Sequence, residues 1–132
     1  MATVVQFTSP PNLRLREVVD AGGNGVITKW LRSKHDARAR LRIRVQNLRR
    51  IPRVEWPTTQ FRHLGSHVYE IKWKASNKEF RALGFDRKGY FVLVIGCTHK
   101  QNVYDPAECL STARRLKGEV ENDERTTIDF EP

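Results

Sequence analysis

Apolar and polar residues alternate over residues 68–75, VYEIKWKA, and this period of two predicts a β-strand. Tyr69 and Trp73 fall on one face of the strand, whereas Lys72 and Lys74 fall on the other. A strand of this kind buries its aromatic face against a core and presents its cationic face to solvent. Glu70 shares the cationic face, where it is better explained as a cross-strand salt-bridge partner than as a catalytic base.

Two further strands follow at once, which predicts an antiparallel meander. Ser76-Asn77 forms the first turn, and the second strand covers residues 79–85. The next turn lies at residues 86–89, and it leads into the nearly all-apolar run over 90–97. An apolar run of that length is typical of a central strand that is covered on both faces. Arg81 on the second strand then neighbours the lysines of the first strand.

Helical spacing appears on the N-terminal side of the meander. Residues 26–31 predict a short helix, and a longer helix follows that ends before Pro52, which has no amide proton to donate. The apolar residues that share one face of the longer helix are Ala37, Leu41, Val45 and Leu48. Its other positions carry a series of arginines that includes Arg40 and Arg44. The exposed face of this helix is therefore strongly cationic.

The ends of the chain complete the predicted organisation. Residues 1–12 predict an N-terminal extension, and 13–122 a single domain that opens with a strand near Leu13. A C-terminal helix begins near Pro106. Residues 123–132 are acidic, and they predict a flexible tail. The domain is therefore of the α+β class.

Composition narrows the class of partner. The chain of 132 residues has 24 Lys and Arg against 15 Asp and Glu, and its net charge of +9 favours nucleic acid or another acidic partner. A membrane partner is not supported, because the chain has no long apolar run or lipidation motif. The N-terminus lacks signal-peptide character, so we expect a cytoplasmic protein with reduced, buried cysteines at Cys97 and Cys109. The spacing of Cys and His residues predicts no metal site.

Three segments resemble the RelE/HigB-like toxins of bacterial type II toxin–antitoxin systems, in the branch described as phage-derived. FRHLGSHVYEIKWKASNKEFRALGF (61–85) is similar to the family's K-x-L, Y-E-I/L-R and Y/F-R-V-L-G/Y-F series. GYFVLVIGCTHKQN (89–102) resembles the apolar strand that ends in a lysine-rich tip. GGNGVITKWL (22–31) resembles the glycine-containing loop and first helix, and the likeness extends over about 13–120.

The resemblance implies a fold and an activity. The expected fold is RelE/ParE-like: a small, mostly antiparallel sheet packed against two N-terminal helices, with a C-terminal helix. The implied activity is that of an mRNA interferase, an endoribonuclease that cuts mRNA on the ribosome without a metal or cofactor. The 2′-hydroxyl of the ribose would attack the adjacent phosphate, which restricts the substrate to RNA. The implied partners are mRNA, the ribosome and a cognate antitoxin, expected to be a small helix-turn-helix protein.

This reaction needs a proton acceptor, a proton donor and cations for the phosphorane. We predict Lys72, Lys74, Arg81 and His99 as the catalytic residues. Crowding of like charge would lower the pKa of a lysine enough for it to act as a base, and Arg81 suits bidentate phosphate binding. His99 is the side chain best able to transfer protons near neutral pH. The alternative is that the strand lysines only solubilise the sheet and that His99 is an ordinary loop residue.

Further cations and one tyrosine are predicted to bind RNA. These residues are Lys78, Arg87, Lys88, Lys100, Arg40, Arg44 and Tyr104. Cations of this kind bind phosphates without recognising a particular base. The alternative for the arginine helix is that its charged face is only solvated. Tyr104 either stacks on a base or packs under the last helix.

A second function class stays open. The chain could be a non-catalytic member of the same fold, either a gyrase-inhibiting ParE-like toxin or an RNA-binding module. The cations of the meander favour the nuclease, because a relative that does not cut RNA has less reason to carry them.

Overall fold

The computed structural model describes residues 13–132, so the extension predicted over residues 1–12 lies outside the described residues. The strands are β1 (Leu15–Val18), β2 (Phe61–His63), β3 (Tyr69–Ala75), β4 (Lys78–Arg87), β5 (Tyr90–Lys100), β6 (Val103–Asp105) and β7 (Thr127–Asp129). The helices are α1 (Val26–Leu31), α2 (His35–Arg49) and α3 (Cys109–Glu121), with a 3-10 turn over Arg53–Glu55. The predicted α+β class is confirmed.

The strands form one mostly antiparallel sheet in the order β2-β3-β4-β5-β1-β7. β1 is the exception to the antiparallel rule, since it runs parallel to β5. The short strand β6 pairs with residues 98–100 of β5, whereas β1 pairs with residues 91–93. Both short strands therefore lie along the same side of β5, at its two ends. The predicted meander β3-β4-β5 forms the middle of the sheet.

Helices cover both faces of the sheet. α1 and α2 pack on the first face, where the four apolar positions predicted for α2 are all buried in a core that also holds Trp73 and Phe91. The Trp73 indole N–H donates to the Ala37 carbonyl at 3.0 Å, which ties α2 to β3. α3 packs on the second face, where Cys97 and Cys109 lie buried as free thiols.

A β-bulge in β5 decides which residues reach the second face. Leu83 pairs with Ile95, but the next residue, Gly84, pairs with Leu93, so β5 carries one extra residue here. The bulge lets Val92 pack into the core beneath α3 and still brings residues 95, 97 and 99 to that same face. His99 therefore lies on the face of the sheet that holds α3.

The C-terminal segment differs from the prediction. Residues 127–129 form strand β7, which pairs with β1, and Phe130 is buried at 4% exposure. The Phe130 amide donates to the Leu15 carbonyl at 3.0 Å, and Arg16 pairs with Asp129 at 2.6 Å. The prediction of a flexible tail is wrong here, because an apolar anchor and pairing with basic residues fix the segment at the edge of the sheet.

Candidate functional site

The four predicted catalytic residues lie on the second face of the sheet, in two adjacent cross-strand rows. In one row Lys72 of β3 stands opposite Arg81 of β4. In the next row Lys74 stands opposite Glu79, and Glu79 stands opposite His99 of β5. Directly opposed residues have Cβ atoms about 4.5–5.5 Å apart, so Lys72 is a near neighbour of Arg81, whereas His99 lies diagonally across from Arg81, at about 7–8 Å. The meander thus brings together residues that are separated by up to 27 positions in the sequence.

Arg81 is buried, which contradicts its prediction as an outward-facing phosphate ligand. The residue is 6% exposed, and its guanidinium donates to the Phe80 carbonyl at 2.9 Å. It forms ion pairs with Glu79 at 3.4 Å and with Glu70 at 3.5 Å. Its Nε has no hydrogen-bond partner among the described residues. Arg81 therefore acts as a fixed positive charge beneath the surface.

Glu70 is the anion that holds this arrangement together. It is 0% exposed, and it accepts hydrogen bonds from the Tyr104 hydroxyl at 2.7 Å and from Arg62 Nε at 2.9 Å. The Arg81 guanidinium adds a third, ionic contact. The interpretation of Glu70 as a cross-strand salt-bridge partner is confirmed, because Arg62 stands directly opposite it on β2. A buried carboxylate needs such partners, since unpaired it would be strongly destabilising.

Tyr104 packs against the site from β6. Its ring meets the ring of His99 edge-on, with centroids 5.1 Å apart, and its hydroxyl donates to Glu70. Burial and this hydrogen bond raise the pKa of the Tyr104 phenol, so the hydroxyl stays protonated as a donor. Tyr104 therefore orients His99 and Glu70, which is closer to the packing role than to base stacking.

The surroundings of the site lower the pKa values of two groups, His99 and Lys72. Partial burial lowers the pKa of His99, and the charge of Arg81 lowers it further. The imidazole is therefore neutral at pH 7 and can accept a proton. The same two causes, in the same order, lower the pKa of Lys72. A lysine with a lowered pKa gives up its proton more readily, so Lys72 can act as an acid toward a leaving alkoxide.

Lys78 and Lys100 lie beside the candidate site. Both are exposed, and both line an open groove of about 770 Å³ next to His99. Both cations are therefore accessible to a ligand that enters this groove.

Arg87 and Lys88 lie at the opposite end of the β4-β5 hairpin. Eight residues of strand separate Glu79 from Arg87, which corresponds to about 26 Å. Arg87 is ion-paired with Asp123 at 3.4 Å, and Lys88 is exposed in the turn. The structure therefore does not bring these two cations to the candidate site.

The arginine helix α2 lies against the first face of the sheet, away from the candidate site. Arg40 is exposed and forms a loose ion pair with Asp36 at 3.7 Å. Arg44 is half-buried, and its Nε donates to the Lys72 carbonyl at 2.8 Å, which caps the open edge of β3. Burial lowers the pKa of the Arg44 guanidinium. Arg44 thus has a structural contact, and Arg40 is the cation that stays accessible.

Sequence reasoning missed Arg62, which lies at the rim of the site. Its side chain is 48% exposed although its Nε is bonded to Glu70. It can therefore offer its remaining donors to a phosphate. Arg62 was missed because strand β2 was not predicted. The three residues of β2 lie in a stretch whose sequence predicts an irregular connector. Glu70 gave no clue either, because the alternation of β3 assigns it to the solvent-facing lysine face, whereas the structure buries it at 0% exposure.

Comparison of the chain with protein-family models, curated proteins and solved structures yields no match. Within residues 13–132, no group of three or more His, Cys, Asp or Glu residues could hold a metal ion. No helix in that part of the chain combines the length and the apolar character needed to cross a membrane.

Proposed function

We propose that this chain is the toxin of a type II toxin–antitoxin system, and that it is a metal-independent endoribonuclease with a RelE/ParE-like fold. One observation carries the proposal. His99 and Lys72, both with a lowered pKa, share an accessible sheet face above the buried Arg81-Glu70 pair. A base and an acid on one sheet face, with a positive charge beneath them, are what phosphate transesterification requires.

The proposed reaction begins when a neutral ring nitrogen of His99 takes the proton of the ribose 2′-hydroxyl. The 2′-oxygen then forms a bond to phosphorus, and the bond from phosphorus to the 5′-oxygen breaks. Lys72 donates a proton to that departing oxygen. The products are a 2′,3′-cyclic phosphate and a free 5′-hydroxyl, so atoms and charge balance without a metal or cofactor.

Charge on the phosphorane is stabilised by cations around this pair. Lys74 is exposed in the row of His99, and the half-exposed Arg62 lies on the other side of Lys72. Arg81 contributes through its field, because its buried guanidinium has little surface left for direct contact. In this mechanism Arg81 is a positioning residue, whereas Lys72 and His99 are the catalytic residues.

The net charge of +9 supports a polyanionic substrate, and mRNA on the ribosome is the substrate class that we propose. The proposed partner is an antitoxin that blocks this surface until it is removed. A non-catalytic RNA-binding role on the same fold would use the same cations but would not depend on the proton transfers of His99.

Induced expression in a bacterium tests the proposal. We expect the wild-type chain to arrest growth and shorten cellular mRNA, and we expect His99→Gln and Lys72→Ala to abolish both effects. His67→Gln and Lys29→Ala are matched controls, because both residues are exposed and lie outside the site. Normal growth with intact mRNA at high soluble wild-type expression would overturn the nuclease. Growth arrest that survives His99→Gln, with mRNA intact, would favour the non-catalytic alternative.

A further inference from the structure

Two tight turns lie side by side next to His99. Ser76-Asn77 joins β3 to β4, and Gln101-Asn102 joins β5 to β6. The two turns lie at the same end of the sheet, because Glu79 at the start of β4 pairs with His99 near the end of β5. Together they form the walls of the open groove, which His99 also lines.

The groove offers side-chain amides that form no hydrogen bond with the described residues. Asn77, Gln101 and Asn102 are exposed, and their side chains have no hydrogen-bond partner among residues 13–132. Each amide group presents a donor beside an acceptor, which is the pattern that reads the edge of a nucleic-acid base. Lys78 and Lys100 add positive charge on the two sides of the groove.

Gln101 is not explained by the needs of the turn. Both central residues of this turn have positive φ, +53° at Gln101 and +64° at Asn102. Asn and Gly tolerate the left-handed region, so Asn102 fits its position for local reasons alone. Gln has no such tolerance, and Gly would be the less strained choice at residue 101. Other turns hold Ser66, Ser76 and Lys88 at a φ of +53°, +50° and +53°, so this backbone conformation does not call for an amide. The feature that points to a ligand is the exposed amide of Gln101 in the groove beside His99.

We propose that this groove binds one nucleotide of single-stranded RNA next to the scissile phosphate and reads its base through the Gln101 amide. Adenine is the base that fits through the edge that carries N7, because its 6-amino group and N7 match the acceptor and donor of an amide, whereas guanine presents two acceptors there. Lys78 and Lys100 hold the flanking phosphates. The inference rests on the proposed function in that RNA is the ligand, and it does not require that the RNA be cut.

The test is equilibrium binding of 2′-O-methyl oligonucleotides, which cannot be cleaved by the proposed reaction. Oligomers of adenosine are compared with oligomers of purine riboside, which keep a purine ring for stacking but lack the 6-amino donor. We expect the wild-type chain to prefer adenosine by about tenfold, the discrimination of one good base contact. Gln101→Gly should reduce that preference to about twofold or less.

The design separates recognition from folding. Gln101→Gly relaxes the turn, so its melting temperature should equal or exceed that of the wild type while base preference is lost. Ser66→Gly is the matched control, since Ser66 also has φ of +53° but lies in the β2-β3 turn, outside the groove. It should keep the full preference for adenosine.

Each outcome is decisive. Equal binding of both oligomers by the wild type, no binding of either, or an unchanged preference in Gln101→Gly would overturn the inference. Loss of preference in Gln101→Gly alone would support it. A wild type that prefers adenosine but leaves mRNA intact on ribosomes would refute the nuclease proposal and leave the base-reading groove in place.

Discussion

Removal of the Glu70 carboxylate should destabilise the protein more than any other single change at the site. Glu70→Ala leaves the Arg81 guanidinium, 7% exposed, without its buried counter-charge. It also removes the acceptor of the Tyr104 hydroxyl and of Arg62. Deleting one partner of a buried ion pair costs about 3–5 kcal/mol, because the other charge stays buried and unpaired. We therefore expect the free energy of unfolding to fall by about 4 kcal/mol.

The control is the second carboxylate that Arg81 contacts. Glu79 lies 3.4 Å from the same guanidinium, but its side chain is 45% exposed. Water screens such a pair, so Glu79→Ala should cost less than about 1 kcal/mol. The two variants change the same residue type beside the same arginine and differ chiefly in burial.

Urea denaturation at pH 7 provides the measurement. The slope of the unfolding free energy against urea concentration should be the same in the variants as in the wild type. A domain of this size has about 5–15 kcal/mol of stability in total, so Glu70→Ala should still fold. A variant that combines Glu70→Leu with Arg81→Met should recover most of the loss, since it removes both charges. A cost for Glu70→Ala within about 1 kcal/mol of that for Glu79→Ala would refute the buried network as described.

Further predictions address the parts around the site. Phe130→Ala should lower the free energy of unfolding by about 3–4 kcal/mol in urea titrations, because Phe130 is 4% exposed; an effect under about 1 kcal/mol would mean that β7 is not anchored. Arg44→Ala should cost about 1–2 kcal/mol through its lost bond to the Lys72 carbonyl, whereas Arg40→Ala should be nearly neutral. In RNA-binding titrations against salt, Arg40→Ala should lower the slope by about 0.7 and Arg44→Ala should not; equal slopes would contradict this assignment. Because the folded protein holds the pKa of His99 below 6.5, the unfolded chain binds more protons near that pH. Stability should therefore fall as the pH drops through 6.5 toward the folded pKa, and His99→Gln should flatten that part of the pH profile; an unchanged profile would show that the imidazole is not perturbed.

Local patterns predicted the parts of the fold that depend on nearest neighbours along the chain. The bounds of α1 match the helical signal over 26–31, and the alternation in β3 places Lys72 and Trp73 on opposite faces as observed. The short strands β2, β6 and β7 were missed. Each has three residues, and each exists because a partner strand offers an open edge. A period of two cannot be read from three residues, so tertiary pairing alone reveals these strands.

The sheet face on which the predicted catalytic residues lie follows from the sequence, but their burial and their partners do not. Alternation assigns Arg81 to the correct face, but it cannot reveal that Glu70 pairs with the guanidinium and also accepts a hydrogen bond from Tyr104. The role of Tyr104 depends on β6, and the role of Arg62 depends on β2. Because the sequence does not predict these two strands, it does not predict either role. Arg44 looked like any other arginine of the helix, because its bond joins residues 28 positions apart. Contacts of that range leave no local sequence pattern.

Analysis of the ends of cleaved RNA tests the central claim most directly. Purified protein is incubated with ribosomes and a labelled mRNA, and the new termini are identified by enzymatic end-labelling and mass spectrometry. We predict 2′,3′-cyclic phosphate and 5′-hydroxyl ends, no cut where a single 2′-deoxynucleotide replaces the attacking ribose, and a rate about 10²–10⁴-fold lower for His99→Gln, with RNA binding retained. Termini with a 5′-phosphate, or full-rate cleavage by His99→Gln, would contradict the mechanism.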